Sequence, residues 1–243
     1  MSTYHARQYG GPRGVLNMNR EDLQAFEEDT KTVVPGFKVA WKSDSLKQRL
    51  LGRVLWFNPT YMTKYVSTFY PVVYFPTQVE YESNLTSSFA VLAHERVHLL
   101  DTRRQGIWFR VSYLLPQVMF VPLSISALSC SFFEGKLAIL LLVLALVSLL
   151  PWPSPGRTKW EKRGYAMTMA VSYWIRGEVT SELKQSIKSY FVGWPYYKMS
   201  WSPSDIDVWL TQIEWDLKTG TLLEDQVYFD VRQFLGSRGL LKT

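Results

Sequence analysis

The sequence predicts an α+β protein, and three features of the chain indicate this class. Short stretches rich in alternating, β-branched and aromatic residues occur between positions 37 and 82. Helical patterns dominate from about position 84 onwards. A strongly apolar region, 111–151, interrupts these helices. We therefore expect a small mixed or antiparallel sheet packed on helices in a single domain, 19–243, with an inserted apolar helical hairpin at 111–151.

Length and composition set further limits. The chain has 243 residues, which is enough to bury a sizeable core in one domain, and a formal net charge of +6. That charge suits an anionic surface, but the basic residues are scattered and carry no nucleic-acid-binding signature, so nucleic acid is not expected as a partner. Cys130 is the single cysteine, so no intrachain disulfide can form. The polar segment 1–18 is expected to be flexible and lacks the apolar stretch of a signal peptide.

The part of the chain before position 84 is expected to form the sheet. A short helix at 19–32 precedes it, and Ser43 or Ser45 can cap another helix that runs to Leu51. Pro71 and Pro76 place the strands around them at a sheet edge. The predicted strands are 37–41, 53–57 and one or two within 61–82.

The stretch that follows contains His94-Glu95-Arg96-Val97-His98, an H-E-x-x-H pattern. Residues four apart lie on one face of a helix, so both imidazoles can reach one metal ion with Glu95 beside it. The surrounding residues predict a buried helix from 84–88 to about 104. Asp101 lies on the same face and can orient a ligand imidazole, whereas Arg96 points away from it.

These five residues resemble the motif of the zincin superfamily of zinc metallopeptidases. No glycine and histidine follow shortly after His98, so the resemblance is to the gluzincin branch rather than to metzincins. It implies a zincin-like fold, in which an edge strand, expected at 72–75, runs along the cleft and pairs with an extended substrate. The alternative is an edge strand covered by a loop. It also implies a Zn²⁺ cofactor and a glutamate ligand from a later helix.

Glu161 is the predicted third ligand. The apolar hairpin leaves from the motif helix and returns just before Glu161, so an antiparallel excursion can bring this residue back beside the histidines. A competing role is possible, because Thr158 and Glu161 have the spacing of a capping box at the start of a helix. Asp101 is the main rival ligand and Glu178 a weaker one.

The apolar region 111–151 has two segments around a short charged turn. Its second segment is apolar on every side, but as a helix it spans only about 21 Å, short of a bilayer core of roughly 30 Å. A shallow or re-entrant hairpin in lipid is therefore predicted, with Trp108 and Trp152 at the interface and basic residues on the cytoplasmic side. The alternative is a hairpin buried against protein, such as a partner subunit. The flanking basic residues are Arg103, Arg104, Arg110, Arg157, Lys159, Lys162 and Arg163.

Two functions are predicted. The first is a membrane-associated zinc metallopeptidase, with His94, His98 and Glu161 binding Zn²⁺ and Glu95 as the general base towards the zinc-bound water. Its substrate would be a peptide or protein. The second is a non-catalytic assembly protein on a zincin scaffold, such as a virion or tail component, since small phage-encoded H-E-x-x-H proteins are loosely similar. The expected location is the cytoplasmic face of a membrane, or a virion.

Overall fold

The computed structural model describes residues 2–3, 18–55, 58, 60–132, 134–150, 152–193 and 198–242. Most of the segment predicted to be flexible, 1–18, lies outside these described residues. The strands are β1 (Ser2–Thr3), β2 (Lys38–Trp41), β3 (Tyr65–Phe69) and β4 (Val72–Phe75). The helices are α1 (Arg20–Val33), α2 (Leu46–Val54), α3 (Tyr61–Lys64), α4 (Gln78–Ser83), α5 (Leu85–Gln105), α6 (Ile107–Leu114), α7 (Phe120–Cys130), α8 (Gly135–Ser148), α9 (Pro155–Arg176), α10 (Ser181–Val192), α11 (Pro203–Thr219) and α12 (Gln226–Ser237). Two 3₁₀ helices lie at Gln117–Met119 and Thr221–Glu224.

The strands form a small mixed sheet in the order β1-β3-β4-β2, so the α+β class is confirmed. β2 is parallel to β4, whereas β3 is antiparallel to both β4 and β1. The two prolines predicted an edge position for the strands around them, but β4 is an inner strand. Pro71 and Pro76 both lie just outside β4, so neither interrupts its pairing. β1 pairs with β3 only at Tyr65 and Val66, so within the described chain the outer edge of Ser67–Phe69 has no strand beside it.

The helix α5 confirms the predicted motif helix and passes through the centre of the core. The Asn84 side chain accepts a hydrogen bond from the Ser87 amide and caps its start, and Gly106 ends it at a positive φ of 57°. Apolar residues surround the histidines because most of α5 is buried, chiefly against α9, α1 and α6. Such a helix must be apolar all round rather than along one stripe.

The helix α9, which carries Glu161, starts earlier than the sequence pattern indicated. Its N-cap is Ser154, whose hydroxyl accepts a hydrogen bond from the Arg157 amide, and Pro155 occupies the first turn. Thr158 is therefore already inside the helix and donates its hydroxyl to the Met199 carbonyl. The capping-box alternative for Glu161 is wrong, since this residue lies in the second turn.

The predicted strand at 53–57 is also wrong where the structure describes it. Ser45 caps α2 by accepting from the Gln48 amide, and the helix then runs to Val54. Residues 56 and 57 of that prediction lie outside the described residues. The chain from Ser181 onwards forms α10, α11 and α12, in agreement with the helical patterns of this part of the sequence, and Ser202 caps α11.

The apolar region forms two antiparallel helices, α7 and α8, which we call the α7–α8 hairpin. These helices pack mainly on each other, and α8 also contacts the 3₁₀ helix Gln117–Met119. The start of the predicted insertion, 111–114, is the end of α6, which packs against α5 and α9.

In the part of the chain that the structure describes, no helix taken singly has the length and apolar character to cross a bilayer. Helix α6 and the segment 117–130 reach the necessary length and apolar character only when taken together. The two are bent by 98° at their junction.

Candidate metal centre

Three buried side chains from two helices converge on one point. His94 and His98 lie one turn apart on α5, and Glu161 faces them from α9. The two Nε2 atoms are 3.0 Å apart, Glu161 Oε2 is 3.6 Å from His94 Nε2, and Glu161 Oε1 is 3.8 Å from His98 Nε2. All three possible ligand atoms lie within 4.8 Å of one another. The structure thus brings together the three residues that the sequence singled out as ligands.

The surroundings of His94 fix which ring nitrogen faces this point. Thr168 Oγ1 lies 3.2 Å from His94 Nδ1 and 3.5 Å from the Gly164 carbonyl oxygen. The hydroxyl can donate to that carbonyl while Nδ1–H donates to the hydroxyl, which leaves the Nε2 lone pair directed at His98 and Glu161. Gly164 permits the close approach of α9, because a Cβ there would lie 2.5 Å from His94 Nε2.

Glu161 is ionised within the cluster. Burial alone would raise the pKa of its carboxyl, but the nearby imidazoles of His94 and His98 outweigh burial and hold that pKa well below the ordinary value. Burial lowers the pKa of His98, yet the neighbouring Glu161 carboxylate leaves it raised overall. The cluster therefore holds an anionic carboxylate and favours a cation at its centre.

Tyr113 of α6 donates its hydroxyl to Glu161 Oε1. The other oxygen, Oε2, is buried and has no hydrogen-bond partner among the described residues. It is the oxygen that faces His94. Burial and the neighbouring Glu161 charge raise the pKa of the Tyr113 hydroxyl well above its ordinary value. The hydroxyl thus stays protonated and remains a donor.

Glu95 follows His94 in the chain and faces the same cleft as His98. Thr68 of β3 donates its hydroxyl to Glu95 Oε2 at 2.7 Å, whereas Oε1 is buried and has no hydrogen-bond partner among the described residues. One carboxylate oxygen is thus anchored and the other can accept a proton.

The two rival ligands have other positions. Asp101 forms a bidentate ion pair with Arg163, with nitrogen–oxygen distances of 2.9 and 3.2 Å. It therefore serves the contact between α5 and α9 rather than the cluster. Glu178 is exposed beyond the end of α9, roughly 25 Å along the helix from Glu161.

Arg96 points away from the cluster, as expected, but it is buried rather than solvated. Its Nη1 pairs with Asp29 of α1, and its guanidinium lies 5.3 Å from the centroid of the Phe26 ring. The charged residue inside the motif is thus neutralised on the far side of α5.

A cleft of about 490 Å³ opens next to Glu95 and His98. Three elements line it with mostly apolar surface: β3 on one side, α5 at the back and α6 on the other side. The lining includes Ser67, Thr68, Phe69, Phe109, Arg110, Tyr113 and Leu114. An extended chain lying in this cleft would pass the outer edge of β3.

Tyr113, Thr68 and Thr168 are the site residues that the sequence did not reveal. Each one contacts His94, Glu95 or Glu161 from at least 27 positions away along the chain. A polar side chain in an apolar segment was the only available signal for Tyr113. The threonines carry no local signal at all.

Replacing Tyr113 by Phe is expected to weaken zinc binding about tenfold or more, because ligand-orienting contacts typically contribute that much to metal affinity. The measurement is competition against a chromogenic chelator. Tyr81→Phe is the matched control, since Tyr81 donates to Glu27 at 2.6 Å in the same manner but away from the cluster. Equal zinc affinities in the two variants would contradict an orienting role for Tyr113.

Comparisons of the chain with protein-family models, with curated proteins and with solved structures found no match. The geometry and chemistry of the cluster and the cleft are therefore what point to a function.

Proposed function

We propose that this chain is a zinc-dependent hydrolase of the zincin type, with a gluzincin-like ligand set, and that it cleaves peptide bonds. The observation that carries the proposal is the convergence of His94, His98 and Glu161 from two helices, with Glu95 beside them at the cleft. Two imidazoles and one carboxylate form a ligand set typical of catalytic zinc, with a fourth position left for water or substrate.

The spacing of the three donors fits zinc. Ligands about 2.0–2.1 Å from a tetrahedral ion lie roughly 3.3 Å from one another. The distance of 3.0 Å between the two Nε2 atoms and that of 3.6 Å from His94 Nε2 to Glu161 Oε2 lie on either side of this value. The ionised carboxylate of Glu161 is already in the protonation state that a divalent cation requires.

When bound, zinc lowers the pKa of a water molecule and polarises the carbonyl group that the water attacks. Glu95 Oε1 takes the proton of the attacking water and then delivers it to the leaving amine. Thr68 keeps this carboxylate in place through the other oxygen. Tyr113 holds Glu161 so that Oε2 faces the histidines.

The position of β3 supports a peptide as the substrate. Its outer edge from Ser67 to Phe69 lines the cleft, and backbone N–H and C=O groups at a strand edge can pair with an extended peptide. The resemblance to zincins implies such an edge strand along the cleft, and β3 rather than β4 has this position.

The non-catalytic alternative is an assembly protein that contacts a membrane or a partner subunit through the α7–α8 hairpin. The large exposed apolar surface of that hairpin favours it. The two functions differ in whether the cluster and Glu95 turn over a substrate.

Metal analysis tests the proposal first. We expect one zinc per chain in protein produced with zinc present, measured by plasma mass spectrometry after exhaustive dialysis. His94→Ala should lose this zinc, because two of the three donors cannot hold the ion tightly. His5→Ala is the matched control, since it removes the one histidine outside the motif. A wild-type protein without zinc, or a zinc content equal in all three proteins, would overturn the proposed site.

A further inference from the structure

The outward surface of the α7–α8 hairpin is strongly apolar, and its exposure to water is unfavourable. Eight large aliphatic side chains of α8 are exposed, among them Ile139 with 65% and Leu140 with 53% of its surface accessible. The others are Leu137, Leu142, Val143, Leu144, Leu146 and Val147. Transfer of these side chains from water to an apolar environment would be favourable.

The inward surface of the same hairpin is built from small residues. Ala127 of α7 and Ala138, Ala145 and Ser148 of α8 are the buried residues of these two helices. Large side chains facing outwards and small ones at the helix contact are the arrangement found in lipid, where helices associate by close packing. A hairpin that folds in water would place its leucines at the contact instead.

Aromatic and basic side chains flank this hairpin in the sequence and are exposed. Trp108 is 72% exposed at the start of α6, and Trp152 is 40% exposed just after α8. Arg104, Arg110 and Lys159 are exposed as well. Tryptophan at the level of the headgroups and positive charge next to it complement an anionic bilayer.

The other basic residues flanking the hairpin hold the protein together. Arg157 is buried and donates to the Tyr113 carbonyl and to Gln117. Arg163 pairs with Asp101 and Asp225. The contacts of Arg157 join the start of α9 to the end of α6 and to Gln117, where the hairpin begins.

The cleft and the hairpin share one element. Helix α6 supplies Phe109, Arg110, Tyr113 and Leu114 to the cleft wall, and the chain passes from its end directly into the hairpin. Leu114 itself is 47% exposed on the hairpin side of the cleft. A bilayer that covers the hairpin therefore lies alongside the cleft.

From this juxtaposition we propose that the α7–α8 hairpin inserts into an anionic bilayer and that the substrate is the extended juxtamembrane segment of a membrane-anchored polypeptide. The cleavage part rests on the proposed hydrolase function, whereas the insertion part does not. Because α8 is only about 21 Å long, the hairpin lies obliquely and keeps its charged turn, with Glu134 and Lys136, close to the headgroups.

Vesicle flotation tests the insertion. The wild-type protein should float with phosphatidylcholine–phosphatidylglycerol vesicles, and Leu140→Asp/Leu144→Asp should reduce the floating fraction at least tenfold. Val208→Asp/Phe229→Asp is the matched control, because it removes two exposed apolar residues and adds two negative charges on α11 and α12. A wild type that stays in solution, or that forms a defined oligomer which only the hairpin variant disrupts, would overturn lipid as the occupant.

Cleavage of matched peptide pools tests the substrate class. The same quenched fluorogenic pool is offered free in solution and anchored to the vesicles by a palmitoyl chain. We expect the wild type to cleave the anchored pool at least tenfold faster. The hairpin variant should lose this preference and the control variant should keep it.

The outcomes separate the two proposals. Equal cleavage of both pools by a protein that floats would overturn the substrate class and leave the hydrolase intact. Cleavage of neither pool by a zinc-loaded protein that floats would overturn the hydrolase, and the substrate class with it, while the insertion stands. Faster cleavage of the free pool would contradict a substrate presented from the bilayer.

Discussion

Replacing Glu95 by Gln is expected to lower kcat about a thousandfold while zinc stays bound. The amide cannot accept the proton of the attacking water, and a positioned general base typically contributes between about a hundredfold and ten-thousandfold. Glu95 is not a member of the three-donor cluster, so the ion should remain. The measurement combines steady-state kinetics on the peptide pool with the zinc content of the same preparation.

Glu178→Gln is the matched control for this variant. It makes the same chemical change at an exposed glutamate that was the weaker rival ligand, and kcat and zinc content should both equal the wild-type values. Unchanged hydrolysis by Glu95→Gln would rule out the proposed mechanism. A loss of zinc together with activity would instead place Glu95 among the ligands.

Replacing Gly164 by Ala is expected to destabilise the fold by about 1–3 kcal/mol and to abolish zinc binding. A Cβ at this position would lie 2.5, 2.7 and 2.8 Å from three ring atoms of His94, so the ring must move away from the cluster. The buried ring has little room, because the ring of Tyr165 lies 4.7 Å from it. Urea unfolding gives the free energy, and metal analysis gives the zinc content.

The sign of the stability change makes this test decisive. In a helix without a steric conflict, Gly→Ala stabilises by up to about 1 kcal/mol through helix propensity. Gly135→Ala on α8 is the control, since a Cβ there meets no atom within 4 Å. A Gly164→Ala protein that is as stable as the wild type and keeps its zinc would show that α9 does not approach His94 as closely as described.

The two histidines could be predicted from the sequence because their relation is local. Four residues along a helix fix their common face whatever the rest of the chain does. The prediction of Glu161 required an additional topological argument, namely that the chain returns at the end of the apolar region to the place where it left the motif helix. Its contact with Tyr113 could not be predicted, because it depends on how α6 is packed between α5 and α9.

The start of α9 shows where local signals compete. Ser154 and Thr158 are both good caps, and Thr158 has a glutamate three positions later. Pro155 favours the first of them, because its fixed φ suits the first turn of a helix and its missing N–H costs nothing there. The earlier start places Glu161 where its side chain faces α5 instead of its own backbone.

The two ends of the segment 118–149 lie side by side. The Gln117 side chain donates to the Leu150 carbonyl at 3.0 Å, and Ser154 Oγ lies 3.3 Å from the Ser112 carbonyl oxygen. A short polar linker could therefore replace the segment 118–149 without stretching the backbone on either side. Such a shortened protein would allow the chemistry of the three donors to be studied apart from the hairpin.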